Sequence, residues 1–286
     1  LLPGQIDLAA GSGVGLAGAV AAVLVHLHGL PAPLALALAA AGAVAIWAGM
    51  GVLVAVERVP AFIITLGGLL VFRGLHWMVI DNQTVPIVEG GGRNAYSLLT
   101  TGYLPPAAGW LLAGAVAAAF AASTLRRRAR RLRHGFPADD AELAFLKLLV
   151  VAQALALVAL VANGFRGIPL ALVILGAVAL LVHQLAAHTP FGPYLYATGG
   201  NEEAAALSGV PVRATVVGAY AVMGLIVALT GFMQTAYSGA STTTIGSLME
   251  LDAVAACVIG GTSLLGGRGT VLGVLFGALI MASLIN

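Results

Sequence analysis

Charged residues are scarce in this sequence. Only 8% of its 286 residues are Asp, Glu, Lys or Arg, whereas 60% are hydrophobic and the mean hydropathy is +1.03. A soluble globular domain carries about 25% charged residues. Because so few charges cover only part of the water-facing surface of a chain this long, most of its exterior must face lipid. The composition excludes an ordinary soluble protein and indicates an integral membrane protein.

Residues that bind metals or act in catalysis are scarce as well. Cys257 is the only cysteine, which excludes a disulfide framework and a thiol-rich metal site. The six histidines never form the His-Glu-x-x-His pattern of a zinc site. Residues 239–242, Gly-Ala-Ser-Thr, resemble the nucleophile segment of an intramembrane serine protease, but no histidine follows His188 to act as the base. The sequence therefore predicts no metal, no cofactor and no catalytic set on this chain.

Apolar runs are what the sequence has in abundance, and a run of about 20 residues suffices to cross the hydrocarbon core of a bilayer. Residues 8–27 are rich in glycine, which lets two helices approach closely. The stretch 248–286 is too long for one span, and glycines between residues 260 and 269 break it into two spans or half-helices. The runs are residues 8–27, 31–56, 60–80, 107–125, 143–163, 168–187, 213–235 and 248–286.

These runs predict an all-α fold, a polytopic transmembrane helical bundle of about eight spans with a glycine-broken C-terminal pair. We expect residues 1–286 to form a single transmembrane domain. Six arginines fall between residues 126 and 133. Such a cluster is found in proteins that bind nucleic acid, but beside apolar spans it is typical of a cytoplasmic loop, which we assign to residues 126–141. By the span count, residues 188–212 lie on the same side, and residues 81–106 form a long polar loop that lies outside.

The loop of residues 188–212 contains a predicted two-turn helix from Asn201 to Ser208. Asn201 is a good N-cap, and acidic residues at positions 202 and 203 oppose the positive end of the helix dipole. Gly209 can adopt the left-handed C-cap conformation, and Pro211 prevents continuation. A helix this short is unstable alone in water. It is therefore either a connector lying on its own protein or a helix that docks on a partner.

Four ordered motifs resemble a known family of transporters. Residues 199–210 read Gly-Gly-Asn-Glu-Glu-Ala-Ala-Ala-Leu-Ser-Gly-Val, and residues 2–12 read Leu-Pro-Gly-Gln-Ile-Asp-Leu-Ala-Ala-Gly-Ser, with Ala9 where the family usually has serine. Residues 59–74 and the glycine-rich block 250–269 complete the set. These motifs resemble permeases of the ribose, xylose, arabinose and galactose branch of ABC importers. The arginine-rich segment and the last ten residues are most similar to xylose-type permeases.

The resemblance implies a transport subunit rather than an enzyme, and specific partners. It implies cytoplasmic ATP-binding subunits that carry ATP and Mg²⁺, a periplasmic or extracellular sugar-binding protein, a second permease subunit as in a homodimer, the lipid bilayer of the bacterial cytoplasmic (inner) membrane, and no nucleic acid. It also implies that about two helices before residue 1 and a final span after residue 286 complete a family member. The residues that it assigns to ATPase coupling are Asn201, Glu202, Glu203, Ala204, Ala205, Leu207, Ser208 and Gly209.

A phosphate-binding loop on this chain would contradict the assignment of ATP to separate ATP-binding subunits. Residues 261–266, Gly-Thr-Ser-Leu-Leu-Gly, begin like a P-loop, but Gly267 and Arg268 follow where Lys and Ser or Thr are required. The chain therefore lacks the phosphate-binding lysine, and we expect another polypeptide to hydrolyse ATP.

Polar residues in or near the apolar spans are the remaining candidates for function. Ionisable groups in a membrane normally face protein or water, so these either pair to fix helix packing or line the sugar path. They are Asp7, Arg73, Glu250, Asp252 and Arg268. Hydroxyl and amide groups near an outer helix end could contact sugar directly, and these are Gln234, Ser238, Ser241 and Thr242. A channel, a secondary transporter or a membrane enzyme remains the alternative, and only the short helix and its motif argue against the first two.

Overall fold

The computed structural model describes residues 1–88, 92–137 and 140–285, and residue 285 without its side chain. Within these ranges the fold is helical, with four two-residue strands. The elements in chain order are α1 Ala10–His26, α2 Ala32–Ala55, α3 Ala61–Val79, β1 Val85–Pro86, α4 Leu98–Thr101, β2 Tyr103–Leu104, α5 Pro106–Arg133, α6 Ala141–Asn163, β3 Ile168–Pro169, α7 Leu170–His188, α8 Phe191–Gly200, α9 Glu202–Leu207, α10 Val212–Ser238, β4 Ala240–Ser241, α11 Met249–Ile259 and α12 Val271–Ile285.

The predicted polytopic helical bundle is confirmed, although the count of about eight spans is approximate. Among the described residues, six helices are long and apolar enough to cross a membrane, namely α2, α3, α5, α6, α7 and α10. Two more apolar helices, α1 and α12, are shorter. The last apolar stretch is broken as predicted, because α11 ends before Gly260 and α12 begins after Thr270.

Proline sets where many of these helices begin. Its fixed φ angle suits the start of a helix, where its missing N–H group has no intrahelical partner to lose. A proline occupies the N-cap position of five helices, α2, α3, α5, α8 and α10, and these prolines are Pro31, Pro60, Pro105, Pro190 and Pro211.

The chain divides into two compact units, and the first contains Leu1–Thr100 and Leu175–Asn286. Its central element is α1, which packs against α2, α3 and α10. A Cβ atom added at Gly13 would overlap the ring of Trp47, and one added at Gly18 would overlap the side chain of Thr235. The glycine-rich face that the sequence predicted on α1 therefore permits these close approaches.

The segment after α3, expected from sequence as a polar loop, is folded onto this unit. Strand β1 pairs antiparallel with β4, with Val85 opposite Ser241. Tyr96 is completely buried and its hydroxyl donates to the Gly18 carbonyl oxygen at 3.2 Å. Asn94 accepts from the Ser97 amide and donates to the Ile87 carbonyl oxygen. Residues 89–91 of this segment lie outside the described residues.

The second unit, Thr101–Ile174, is a pair of helices closed by a short ladder. Helices α5 and α6 pack together, and β2 pairs antiparallel with β3. The Asn163 side chain donates to the Pro106 carbonyl oxygen at 3.3 Å and covers Gly109, where a larger residue would collide with it.

The arginine cluster lies on a helix and not in a loop. The sequence analysis assigned residues 126–141 to a loop, but α5 continues through Arg133, and the chain turns only at Gly135, which has a φ of 70°. Arginine is a good helix former, and positive charge is favourable at a helix C-terminus. Both effects favour extending the helix through this cluster. Residues 138–139 of the assigned range lie outside the described residues.

Candidate functional site

The short helix predicted at Asn201–Ser208 is present as α9, with caps at both ends. The Asn201 side-chain oxygen accepts from the Ala204 amide at 2.9 Å. At the other end Gly209 has a φ of 82°, its amide donates to the Ala206 carbonyl oxygen, and the Val210 amide donates to the Ala205 carbonyl oxygen. These two bonds form a Schellman motif, which satisfies carbonyl groups that a helix end would otherwise leave unpaired.

Almost all of α9 faces away from the rest of the first unit. Ala205 is buried, and it anchors the helix. Leu207 is 90% exposed, and the carboxylates of Glu202 and Glu203 are exposed in the first turn. An exposed apolar side chain beside two acidic ones has little contact with the rest of this fold to stabilise it. The arrangement therefore suits contact with another protein. The predicted role of these residues in ATPase coupling is a proposal that we take up below.

The residues just before α9 make a contact that the sequence analysis did not predict. Helix α8 ends in Gly199 and Gly200, and these pack backbone to backbone on the loop between α11 and α12 and on the N-terminal segment. We call this the glycine contact, and its members are Leu2, Gly4, Gly199, Gly200, Gly266 and Gly267.

Hydrogen bonds fix the glycine contact on both sides. The Gly267 amide donates to the Leu2 carbonyl oxygen at 2.9 Å, and the Tyr196 hydroxyl of α8 donates to the Gly269 carbonyl oxygen at 2.8 Å. A Cβ atom added at Gly199 would overlap the Leu2 carbonyl oxygen, whereas one at Gly200 would meet nothing within 4 Å. A glycine pair directly before an N-cap is the only sequence signal for this contact. The failed P-loop match at residues 261–266 is part of the same loop, and Gly266 packs on Gly4 and Gly199.

The four residues proposed to contact sugar lie close together in the chain but differ in accessibility. Gln234 is half-buried on α10 and Ser238 is exposed at its last position. Ser241 on β4 is completely buried, and its hydroxyl has no hydrogen-bond partner among the described residues. The Thr242 hydroxyl lies 3.1 Å from that of Thr244. Residues 239–248 between α10 and α11 contain no helix, and non-helical backbone at membrane depth is tolerated only where it is buried in protein or lines a water-filled cavity.

The intramembrane ionisable residues do not pair with one another anywhere in the described ranges. Asp7 instead accepts hydrogen bonds from the Trp47 ring N–H at 2.7 Å and from the Ala9 amide at 2.8 Å, which fix the N-terminal segment against α2. The Arg73 guanidinium lies 5.6 Å from the centre of the Trp77 ring. Asp252 and Arg268 are exposed. Glu250 is the buried member of the set, and its carboxylate lies against Gly11.

Across residues 1–88, 92–137 and 140–285, no three His, Cys, Asp or Glu side chains lie close enough together to hold a metal ion.

A bundle of long apolar helices with an exposed, capped helix on a connecting loop defines a polytopic membrane protein. The chain belongs to the family described as branched-chain amino acid transport system / permease component, whose model matches residues 2–285. Permease components are transport subunits, so this chain is not an enzyme. No solved structure matches the chain.

Individual relatives within the family are sugar permeases by name. The chain is 38% identical to the xylose transport system permease protein of Escherichia coli over 100% of this chain and 72% of that protein. It is 38% identical to the Haemophilus influenzae protein of the same name over 84% of this chain and 63% of that protein. It is 43% identical to the ribose import permease protein of Escherichia coli over 42% of this chain and 37% of that protein. The resemblance inferred from the four motifs is confirmed.

Proposed function

We propose that this chain is the membrane-spanning subunit of an ATP-driven importer for xylose or a related monosaccharide in the bacterial cytoplasmic membrane. The observation that carries the proposal is the 38% identity to a xylose permease over the full length of this chain. The chain lacks the lysine of a P-loop. In this proposal, ATP and Mg²⁺ bound by separate cytoplasmic ATP-binding subunits supply the energy for transport.

Transport would proceed by alternating access between two identical permease subunits. A sugar-binding protein delivers the sugar at the outer face, and closure of the ATP-binding subunits then opens the path inward. The polar residues Gln234, Ser238, Ser241 and Thr242 belong to this path in the proposal. The non-helical backbone of residues 239–248 supports this assignment, because such backbone at membrane depth must lie in protein or beside water.

Helix α9 would be the contact with the ATP-binding subunit. Its two carboxylates suit a basic groove and the exposed Leu207 suits an apolar pocket within that groove. Movement of α9 would pass through α8 to the glycine contact, because Gly199 rests directly on the loop between α11 and α12. Backbone packed on backbone has little freedom to adjust, so a shift of α8 must move that loop or separate the two.

The test is reconstituted transport with a charge-reversed α9. The full-length protein is placed in vesicles with its ATP-binding subunit and binding protein, and uptake of radiolabelled D-xylose, D-ribose and L-arabinose is measured with and without ATP. We expect ATP-dependent uptake of at least one pentose. The double variant Glu202→Lys with Glu203→Lys should insert normally, lose uptake and no longer retain the ATP-binding subunit in pull-down.

A matched control separates this effect from a general change of charge. The double variant Glu57→Lys with Glu142→Lys reverses two exposed carboxylates outside α9 and should keep uptake and ATP-binding subunit retention. Uptake that is driven by an ion gradient without ATP would identify a secondary transporter and overturn the proposal. Full uptake by the α9 variant would show that α9 is only a connector.

A further inference from the structure

A cavity of about 200 Å³ lies in the first unit, between the N-terminal segment, α10 and α11. Its wall is formed by Leu1, Pro3, Gln5 and Asp7 of the N-terminal segment, Tyr220 and Met223 of α10, and Glu250 and Cys257 of α11. Sites for drug-sized ligands measure roughly 300–1,000 Å³. The size of this cavity therefore suits a smaller molecule such as one monosaccharide.

Three of the polar groups in the cavity wall have no hydrogen-bond partner among the described residues. The Tyr220 side chain is only 6% exposed and its hydroxyl is buried and unpaired. The side-chain oxygen of Gln5 is likewise buried and unpaired. Glu250 is 7% exposed, and its carboxylate forms no hydrogen bond or ion pair within the described ranges. Buried polar groups in native proteins are normally satisfied, so an unpaired set around one cavity indicates a ligand.

The surrounding structure holds these groups in place. Asp7 is fixed by its bonds to Trp47 and Ala9, and because each carboxylate oxygen accepts only one of these bonds, both oxygens can accept another. Glu250 lies in the first turn of α11, where the helix dipole favours negative charge.

The arrangement of donors and acceptors points to a molecule rich in hydroxyl groups. The carboxylates of Asp7 and Glu250 and the amide oxygen of Gln5 accept hydrogen bonds from hydroxyl groups, and the Tyr220 hydroxyl can donate one in return. Met223 and its apolar neighbours in the wall, Ala219, Ala253 and Val254, can face the C–H surface of a sugar ring. A metal ion fits less well, because no three His, Cys, Asp or Glu side chains within the described residues converge on one point.

We propose that this cavity is a monosaccharide site within one permease subunit, in which Glu250, Asp7, Gln5 and Tyr220 hold the sugar hydroxyls. The proposal rests on the proposed function for the identity of the transported solute. The site is distinct from Gln234, Ser238, Ser241 and Thr242, none of which lines the cavity. It would hold sugar beside α11 and not beside the non-helical residues 239–248 that separate α10 from α11.

Cys257 allows the site to be tested directly, because this half-buried cysteine lines the cavity. The complete complex is treated with N-ethylmaleimide with and without D-xylose, or with D-ribose or L-arabinose if the complex transports one of these instead. Modification of the peptide that carries Cys257 is measured by mass spectrometry. Sugar at nine-tenths occupancy should slow the modification about tenfold, because only the empty fraction reacts.

Substitutions connect protection to the proposed ligands. Glu250→Gln and Tyr220→Phe should each raise the sugar concentration needed for protection by about tenfold or more, because a hydrogen bond to a buried group is lost. Asp252→Asn is the matched control: Asp252 is on the same helix, exposed and outside the cavity wall, so this variant should be protected like the unaltered protein. Melting temperatures of all variants are compared, and Tyr220→Phe provides a variant without loss of charge if Glu250→Gln is unstable.

The outcomes separate this proposal from the proposed function. A complex that transports a pentose but shows no protection of Cys257 by that pentose overturns the cavity site alone. Protection by sodium chloride without sugar, or equal protection of the Glu250→Gln and unaltered proteins, also overturns it. A complex with no ATP-dependent pentose uptake overturns the proposed function, and the cavity proposal with it.

Discussion

Two segments connect membrane helices in the first unit, and they differ in how far their side chains are buried. The segment after α3 buries Tyr96 completely, donates its hydroxyl to the Gly18 carbonyl and packs its ring edge-on to Phe232 at 6.1 Å. Helix α9 leaves Leu207 exposed and buries only Ala205 among its residues. The first segment is therefore part of the folded core, whereas α9 is held in shape by its own caps and leaves its surface free for a partner.

The largest expected effect on stability is at Tyr96. We expect Tyr96→Ala to lower the free energy of unfolding by about 3–5 kcal/mol, the range for removing a large aromatic side chain from a core. Tyr96→Phe removes only the hydrogen bond to Gly18 and should cost about 0.5–1.5 kcal/mol. Thermal unfolding of the purified protein in detergent measures both. Equal stability of the alanine variant and the unaltered protein would show that this segment is not part of the core.

Burial also affects the chemistry of Tyr96. Removal from water raises the pKa of the Tyr96 hydroxyl, so it stays protonated and remains a donor to the Gly18 carbonyl. The contact is therefore expected to hold across the pH range in which the protein is active.

A second prediction concerns the glycine contact. There the end of α8, which leads into α9, packs on the N-terminal segment and on the loop between α11 and α12. Gly199→Ala places a Cβ atom on the Leu2 carbonyl oxygen and should cost about 1–3 kcal/mol, the usual range for overpacking. It should also reduce uptake more than binding of the ATP-binding subunit, since α9 itself is unchanged. Melting temperature, uptake and pull-down are measured on the same preparation.

Gly200→Ala is the control for that prediction. Gly200 is the next residue of α8, has helical backbone and leaves open space for a Cβ atom. It should match the unaltered protein in all three measurements. If both alanine variants transport normally, the glycine contact is not needed to transmit movement from α9.

The third prediction tests the C-cap of α9. Gly209 has a φ of 82°, which L-residues with branched side chains adopt poorly, so Gly209→Val should destabilise the cap by about 1 kcal/mol and misalign the helix. We expect uptake and retention of the ATP-binding subunit to fall together, with the melting temperature almost unchanged. Gly209→Asn should behave normally, because asparagine tolerates the left-handed conformation. Normal uptake by the valine variant would favour a connector helix.

The sequence was most informative where structure is determined locally. Caps within a few residues of each other, Asn201 and Gly209, were sufficient to predict α9, and the glycines of α1 predicted its close packing. The glycine contact joins residues 2, 199 and 267, which only the folded chain brings together. No local pattern distinguishes Gly199, which has no room for a Cβ atom, from Gly200, which has. The cavity around Glu250 was missed for the same reason, although Glu250 itself was singled out as costly in a membrane.

Errors in the sequence analysis arose where two tendencies competed. The segment after α3 was predicted as a polar loop and its described residues are mostly non-helical, but the packing of its Tyr96 and Ile87 with side chains of α1 and α10 was missed. The arginines of α5 predicted a loop by their charge, but their helix propensity extended the helix through them. In both segments the side chains that pack or propagate a helix outweighed the average polarity of the stretch.

The smallest expected effect on stability, with the clearest effect on assembly, is at Leu207. Its side chain is 90% exposed, so Leu207→Ala should change the free energy of unfolding by less than about 0.5 kcal/mol. If a pocket of the ATP-binding subunit buries that side chain, its loss should weaken binding by about 1.5–3 kcal/mol, or at least about tenfold in the dissociation constant. Leu27→Ala is the control, because Leu27 is also exposed but follows α1, away from α9. Binding of the ATP-binding subunit to both variants is measured in nanodiscs by surface plasmon resonance.

A Leu207→Ala variant that binds as tightly as the Leu27→Ala variant would show that the exposed face of α9 does not carry the contact. The contrast between a buried connecting segment and a partner-binding one would then no longer hold.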